Sequence, residues 1–311
     1  MDGTQVDPRV AWVLRGGDRF YRGHGLGNDY LVFDAVEPEG EGSWEVTPPA
    51  IRRVCHRGEG EGADGLLVLL QRTPTDEGHL VRGFNPDGTE FERSGNGLRV
   101  LASYLSREGL IGVEAFKVRF GDSSLLVKVH DVQPCGRYDV SVEMGRALVG
   151  LQWVNGDPVP LDPDGRALHP SLGPITFVPV SVGNPHAVVF SSALARAELD
   201  EVGPFLARHP AFAEGTNVQL VDVVGPDRLR IGVWERGAGR TSASGTSSCA
   251  AVVAAVSTGR LEPGVITVEM EGGTLLVSVT RDLEVTLRGP AKEVVEGRLT
   301  PGFMRRLSEL V

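Results

Sequence analysis

The chain has 311 residues, a length that favours two domains of roughly 100 to 150 residues each. Its net charge of −10 argues against an extended nucleic-acid surface, and no apolar run approaches the ~20 residues of a membrane span. Three scattered cysteines without a CxxC pair indicate neither a disulfide framework nor a zinc site. We therefore expect a cytoplasmic, globular protein with a small-molecule partner.

The first half of the chain is predicted to be rich in β-strands, with two helices between them. The helices cover about 48–55 and 97–107, and residues 1–19 are interpreted as an extension or an added strand. Strand-like runs occur at 30–33, 66–70, 80–84, 116–120, 125–129 and 138–144.

The same order of strands and helix recurs in the second half. A Pro- and Gly-rich stretch at 145–174 is predicted to be the domain junction, and a helix begins near Ser247. Strands are predicted at 175–182, 187–190, 217–224 and 229–234 before that helix, and at 266–270, 274–279 and 283–287 after it.

Two short motifs indicate an internal duplication. The sequences SGNG at 94–97 and SGTS at 244–247 each end a polar loop and open an apolar helix. If two such units face each other, two helix N-termini converge on one cleft and offer free N–H groups to a carboxylate. One side chain then lies on each face of the ligand, which is the arrangement that inversion at a carbon atom requires.

Five segments of the chain resemble the diaminopimelate epimerase family in order and spacing. They are GHGLGNDY at 23–30, GADG at 62–65, FNPDG at 84–88 leading into SGNG, GNPH at 183–186 with GTNV at 215–218, and WERGAG at 234–239 leading into SGT at 244–246.

The resemblance implies an α/β fold of two pseudo-symmetric, β-barrel-like halves, each wrapped around a central helix. The halves would span 1–147, completed by 290–311, and 148–289. The substrate would lie between the halves, and two copies of the chain would form a homodimer. The family uses no pyridoxal phosphate or metal, so none is expected here.

The resemblance also implies the reaction and its residues. The reaction is epimerisation at the α-carbon of diaminopimelate, from LL to meso, in lysine and cell-wall precursor synthesis. Ser94 and Ser244 take the two catalytic positions, and His186 and Glu235 match the residues that assist them. The remaining matches would bind the diamino diacid, through the side chains of Asn28, Asn85, Asn184, Asn217 and Arg236 and the backbone N–H groups of Gly95, Asn96, Gly245 and Thr246.

One departure affects the chemistry. The family's two catalytic residues are cysteines, whereas this chain has Ser94 and Ser244. A cysteine pKa is near 8.5 and a hydroxyl resembles water at about 15.7, a gap of about 10 kcal/mol. Cys249 lies inside the second helix, where we expect it to be packed in the core.

Three explanations for the serines stay open at this point. His186 and Glu235 could act as the bases, directly or through the hydroxyls, in an epimerase of altered chemistry. The chain could instead be a dehydratase or a different isomerase, which needs one base and one acid. Finally, it could be a homologue that binds amino acids without turnover.

Several residues also have a purely structural interpretation. His24 lies in a glycine loop, His186 follows a turn, and isolated asparagines are common at turns because they tolerate left-handed backbone. The Gly-rich run at 58–63 does not fit a dinucleotide fingerprint, since Glu59 and Glu61 would repel a pyrophosphate. Neither serine lies in the GxSxG elbow of a serine hydrolase.

Overall fold

The computed structural model describes residues 12–15, 17–36, 42–91, 94–121, 123–154, 161–191 and 196–310. The first eleven residues of the predicted extension, and Pro158 and Pro160 of the predicted junction, lie outside these ranges. The described helices are α1 (Pro48–Cys55), α2 (Gly95–Arg107), α3 (Arg196–Ala207), α4 (Gly245–Ser257) and α5 (Pro301–Ser308), with a short 3-10 helix at Leu151–Trp153.

The strands of the first part of the chain are β1 (Trp12–Arg15), β2 (Arg19–Gly25), β3 (Asn28–Asp34), β4 (Ser43–Val46), β5 (Gly65–Leu69), β6 (His79–Phe84), β7 (Glu90–Phe91), β8 (Phe116–Phe120), β9 (Ser123–Gln133), β10 (Arg137–Arg146) and β11 (Leu148–Val149). Those that follow are β12 (Ala167–His169), β13 (Gly173–Ile175), β14 (Val178–Ser181), β15 (Pro185–Phe190), β16 (Asn217–Gly225), β17 (Arg228–Glu235), β18 (Gly239–Thr241), β19 (Gly264–Met270), β20 (Gly273–Val279) and β21 (Glu284–Arg298).

The pattern of strand pairing recurs along the chain. Strand β3 is parallel to β5 as β15 is to β16, and β6 is parallel to β8 as β17 is to β19. The antiparallel pairs β5–β6, β8–β9 and β9–β10 likewise match β16–β17, β19–β20 and β20–β21. All of these strands belong to one closed β-barrel sheet. The prediction of a mixed α/β fold with barrel-like sheets is therefore confirmed at this level.

Helices α2 and α4 fill the interior of the sheet. Residues 250–255 of α4 have no exposed surface, and residues 95–105 of α2 are also buried. A helix that is apolar on every side is stable only when it is surrounded by protein. Cys249 is fully buried in this core, as predicted. Smaller apolar clusters lie under α1 and α5 on one side and under α3 on the other.

Strand β21 joins the two parts of the sheet. It pairs with β20 through residues 285–288, with β10 through residues 284–292 and with β2 through residues 292–298. The predicted boundary at 289/290 lies inside this strand. One continuous strand therefore contributes backbone hydrogen bonds to both parts of the barrel.

Some elements were not predicted from the sequence. Strand β2 and helices α3 and α5 had no clear pattern, and the predicted strand at 175–182 is divided between β13 and β14. Helix α3 contains Gly203 and Pro204, which are both unfavourable inside a helix. In the segment read as an extension or added strand, β1 pairs with β4.

The longest helices in the described ranges, α2 and α4, have 13 residues each. No described helix combines the length and apolar character that crossing a bilayer would require.

The contact between the starts of α2 and α4 predicts a non-additive pair of substitutions. In Gly95→Ala, the new methyl group would lie 2.6 Å from Cδ2 of Leu287, a fully buried side chain. We expect this overpacking to cost about 1–3 kcal/mol of unfolding free energy. We expect Leu287→Ala to cost about 2–5 kcal/mol because it leaves a cavity.

In the double variant the alanine methyl at 95 partly fills that cavity, so the loss should be smaller than the sum of the single losses. Urea unfolding of the four proteins measures this coupling free energy. Strictly additive losses would show that the two side chains do not share this space.

Candidate active site

The N-termini of α2 and α4 meet in the interior of the barrel. A β-carbon at Gly95 would lie 4.0 Å from the α-carbon of Gly245 and 2.6 Å from Leu287. A β-carbon at Gly245 would lie 2.9 Å from the same leucine. Glycine at both positions therefore lets the two backbones approach, and the positive ends of two helix dipoles share one place.

Ser94 is the N-cap of α2. Its Oγ accepts a hydrogen bond from the backbone N–H of Gly97 at 3.0 Å, and it is hydrogen-bonded to the Tyr30 hydroxyl at 2.8 Å. Burial raises the pKa of Tyr30 above its ordinary value, while its bond to Ser94 lowers it and the Glu235 charge raises it further. The phenol therefore keeps its proton at neutral pH, and either hydroxyl can donate in the bond between Tyr30 and Ser94.

Ser244 is the N-cap of α4 and is buried. Its Oγ accepts from the backbone N–H of Ser247 at 3.4 Å, and its own backbone N–H points to Sδ of Met270 at 3.5 Å. Serine is a favoured N-cap residue, so both serines have a structural role in addition to any catalytic one. The two positions are equivalent in backbone but differ in the side chain that contacts the hydroxyl.

Glu235, at the end of β17, is the acid next to Ser244. Burial raises the pKa of its carboxyl group, the nearby hydroxyls of Ser244 and Thr241 lower it, and the charge of Asp64 raises it. Since Glu235 also acts on the pKa of Tyr30, the Ser94–Tyr30 and Ser244–Glu235 pairs share one electrostatic environment. The structure therefore brings three of the four predicted catalytic residues together.

His186 is fully buried in β15, and none of its hydrogen bonds among the described residues reaches Ser94 or Ser244. Its Nε2 donates to Oδ1 of Asn184 at 2.9 Å, and its Nδ1 accepts from Nε2 of Gln219 at 3.0 Å. Gln219 Nε2 also donates to Oγ of Ser247 at 3.0 Å. Burial lowers the pKa of His186 to about 3, so the ring is neutral at physiological pH.

Asn28 and Asn96 form a connected network in the first part of the chain. Asn96 Nδ2 donates to Oδ1 of Asn28 at 2.9 Å, and Asn28 Nδ2 donates to Oδ2 of Asp64 at 3.2 Å. The Asp64 carboxylate in turn accepts from Arg57 at 2.7 Å. Asn85 lies apart from this network, in its own turn, where its Nδ2 donates to Oγ1 of Thr89 at 3.0 Å.

Asn217 and Arg236 connect neighbouring strands in the second part. Asn217 Oδ1 accepts from the backbone N–H of Arg236 at 3.0 Å, and its Nδ2 donates to the Pro185 carbonyl at 3.0 Å. The exposed Arg236 side chain donates to the Glu214 carbonyl at 3.0 Å. Thr246 lies in the first turn of α4 and is half-buried.

Sequence reasoning did not single out several side chains of this site. Tyr30 and Asp64 lie inside matched segments, but no local pattern indicates that they contact Ser94 and Asn28. Gln219, which bridges His186 and Ser247, lies just after a matched segment. His24 accepts from the backbone N–H of Gly27 at 3.0 Å, a bond within its own loop. No three His, Cys, Asp or Glu side chains in the described ranges are grouped as a metal site requires.

The profile of the family described as Diaminopimelate epimerase matches residues 20–149 and 178–294. The chain is 38% identical over 286 residues to the diaminopimelate epimerase of Synechococcus elongatus, covering 90% of this chain and 98% of that protein. It is 38% identical over 288 residues to that of Moorella thermoacetica, with 89% and 98% covered. It is 37% identical over 286 residues to that of Desulfitobacterium hafniense, with 89% and 96% covered.

Solved structures share the fold at low sequence identity. A hydroxyproline epimerase from Agrobacterium vitis aligns with a TM-score of 0.66 at 15% identity, covering 91% of this chain and 90% of that one. A predicted epimerase from Pseudomonas aeruginosa aligns with a TM-score of 0.62 at 17% identity, covering 91% and 99%. The family match and the relatives confirm the isomerase of diaminopimelate epimerase type that was predicted from the five segments. The chain belongs to the diaminopimelate epimerase family.

Proposed function

We propose that this chain inverts the α-carbon of diaminopimelate without a cofactor, between two halves spanning 1–147, completed by 290–311, and 148–289. The observation that carries the proposal is the contact between Gly95 and Gly245, which brings two serine-capped helix N-termini to one point. A carboxylate bound there receives N–H groups from both helices, including those of Gly95, Asn96, Gly245 and Thr246. The same groups stabilise the negative charge that develops on the carboxylate when the α-proton leaves.

We assign the base to the Ser244 side. The serines stand where the family resemblance places cysteines, and a thiolate-to-alkoxide change costs about 10 kcal/mol. A helix N-terminus contributes at most about 2 kcal/mol to a neighbouring anion, which does not close this gap. The Glu235 carboxylate beside Ser244 supplies a base instead: the hydroxyl passes its proton to Glu235 while it takes the α-proton.

The acid is on the Ser94 side. Ser94 donates its proton to the opposite face of the carbanion and recovers one from Tyr30, at 2.8 Å. One C–H bond breaks and one forms, Glu235 gains a proton, and the Tyr30–Ser94 pair loses one. The reverse reaction starts from this state, with Glu235 protonated and Tyr30 deprotonated, and uses the same groups in opposite roles. Exchange with solvent restores both pairs.

The remaining predicted residues hold the substrate. The neutral His186 ring fixes the Asn184 amide rather than removing a proton itself. The amino and carboxyl groups of the diamino diacid are bound by Asn28, Asn85, Asn184, Asn217 and Arg236. The planar guanidinium group of Arg236 is suited to a carboxylate. The family assignment supports a homodimer, a cytoplasmic location and a role in lysine and cell-wall precursor synthesis.

Isotope exchange tests the proposed turnover. In deuterated water, LL- or meso-diaminopimelate should acquire deuterium at the α-carbon, which NMR or mass spectrometry detects. Ser244→Ala should slow this exchange about 10²- to 10⁴-fold, because the proton relay to Glu235 is lost. The control Ser257→Ala, at the other end of α4, should exchange at the wild-type rate.

Two outcomes would contradict this mechanism. Diaminopimelate that raises the melting temperature without any exchange would identify a binding protein. A large gain in rate for Ser94→Cys with Ser244→Cys would indicate thiol chemistry in place of the hydroxyl relay.

The fall of the exchange rate at low pH should reflect protonation of the Glu235 carboxylate. Because burial raises the pKa of this carboxyl above about 4.5, exchange should fall as the pH drops through a value higher than that of an ordinary glutamate. Glu235→Gln should reduce the rate about 10²- to 10⁴-fold and remove this fall at low pH. Glu90→Gln, at an acid that pairs with Arg82 on the surface, is the matched control. A profile that is unchanged in Glu235→Gln would exclude Glu235 as the base.

The buried His186 should make the folded protein sensitive to acid. Its pKa is about 3 in the native state and near 6.5 in the unfolded chain, so between these values only the unfolded chain binds the proton. Protonation of the unfolded chain at His186 therefore lowers the free energy of unfolding as the pH falls from 6.5 toward 3, by up to about 1.4 kcal/mol per pH unit. Above pH 6.5 this loss is absent.

Denaturant unfolding at several pH values between 7.5 and 5 measures this slope. His186→Gln should flatten the slope, and His56→Gln, at an exposed histidine, serves as control. Equal slopes for wild type and His186→Gln would mean that the native ring is protonated.

A further inference from the structure

Arg99 is an arginine in the first turns of α2 with no exposed surface. Its Nε donates to the Pro290 carbonyl at 3.3 Å, and its Nη2 donates to Oδ1 of Asn96 at 2.6 Å. Its Nη1 is buried and has no hydrogen-bond partner within the described ranges. The guanidinium group is thus bonded to neutral oxygens, and one of its nitrogens is left without a partner.

This burial is expensive for a structural residue. A buried charge without an opposite charge costs several kcal/mol of stability. The titratable groups that act on Arg99 are the Cys249 thiol and the Tyr30 phenol rather than a carboxylate. Burial lowers the pKa of Arg99 to about 10, so the group is still cationic at neutral pH. By contrast, the carboxylate of the buried Asp34 is paired with the partly exposed Arg72 at 2.6 Å.

The unpartnered nitrogen lies beneath both helix N-termini. Nη1 is 3.8 Å from the β-carbon position at Gly245 and 4.0 Å from the one at Gly95. A β-carbon at Gly25 would lie 2.7 Å from Nη2, and one at Gly289 would lie 3.7 Å from Cζ. Four glycines therefore make room for this cation directly under the carboxylate site.

Arg99 also begins a chain of oriented amides. Its bond to Oδ1 of Asn96 leaves Nδ2 of Asn96 to donate to Asn28, and Nδ2 of Asn28 then donates to Asp64. An amide whose oxygen is held by a cation cannot rotate without losing a charge-assisted hydrogen bond. Arg99 thereby fixes the orientation of the Asn96 amide and, through it, that of Asn28, whose side chain is predicted to bind the substrate.

We propose that Arg99 is a positioning residue for the reaction, which supplies positive charge beneath the α-carboxylate and orients Asn96 and Asn28. This inference rests on the proposed function. The carboxylate gains further negative charge when the α-proton leaves, and a fixed buried cation stabilises that state more than the ground state. Arg99 therefore affects the rate of proton removal more than the affinity for substrate.

The test compares Arg99→Gln, Arg99→Lys and the control Arg288→Gln, an arginine on β21 that pairs with Asp139. Three quantities are measured: the dissociation constant of diaminopimelate by calorimetry, the rate of deuterium exchange, and the melting temperature of the free protein. For Arg99→Gln we expect exchange about 100-fold slower and affinity about tenfold weaker. Its melting temperature should be unchanged or higher, because an unpaired buried charge is removed.

Arg99→Lys keeps the charge but not the planar fork, so it should recover part of the exchange rate. Wild-type exchange and affinity in Arg99→Gln would overturn the role of Arg99 and leave the proposed function intact. If the wild type itself exchanges no deuterium, the proposed function fails and the affinity measurement alone decides the role of Arg99. If Arg99→Gln is unstable, Arg99→Lys decides between the two interpretations. Slower exchange at the wild-type melting temperature supports the proposal, whereas wild-type exchange at a lowered melting temperature overturns it.

Discussion

The contact between the first residues of α2 and α4 is the constraint on which the site depends. Leu287 fills the space beside both, so glycine is required at 95 and 245 for the two backbones to approach. Two helix dipoles and the Arg99 guanidinium then place positive charge within a few ångströms, where little water screens it. Such an arrangement is unfavourable by itself and becomes favourable when a carboxylate binds. This positive charge supports the proposal that the site binds the carboxylate of its substrate.

The N-termini of α2 and α4 have similar backbones but different neighbouring side chains. Both helices begin with a serine N-cap of nearly the same conformation, with φ of −146° in each. The hydroxyl of one contacts a phenol and that of the other a carboxyl group. Burial keeps the phenol protonated at neutral pH, and it makes the Glu235 carboxylate a stronger base than an ordinary glutamate. These different partners support the proposal that the Ser244 side accepts a proton and the Ser94 side donates one.

Local signals predicted three of the five described helices, α1, α2 and α4, but not the contacts between distant segments. Helix α1 was predicted at 48–55, where Thr47 caps it and Pro48 begins it, and the serine motifs located the starts of α2 and α4. Strand β2 was missed because its sequence, RFYRGHG, contains two glycines and has no clear apolar alternation; it is held by β3 and by β21, which is more than 250 residues away in the sequence. Tyr30 and Arg99 were missed because their roles follow from a phenol reaching Ser94 and from a barrel that encloses α2.

The position of β21 also bears on how the protein is made. This strand bonds to β2 and β10, so their sheet edges stay open until residues 284–298 have left the ribosome. Most multidomain chains fold their N-terminal part first during synthesis. Here the edges of β2 and β10 lack a partner until β21 is available, and unpaired strand edges can pair wrongly. Closure of the barrel, and of the site inside it, therefore requires residues 284–298 to pair with strands that come much earlier in the sequence.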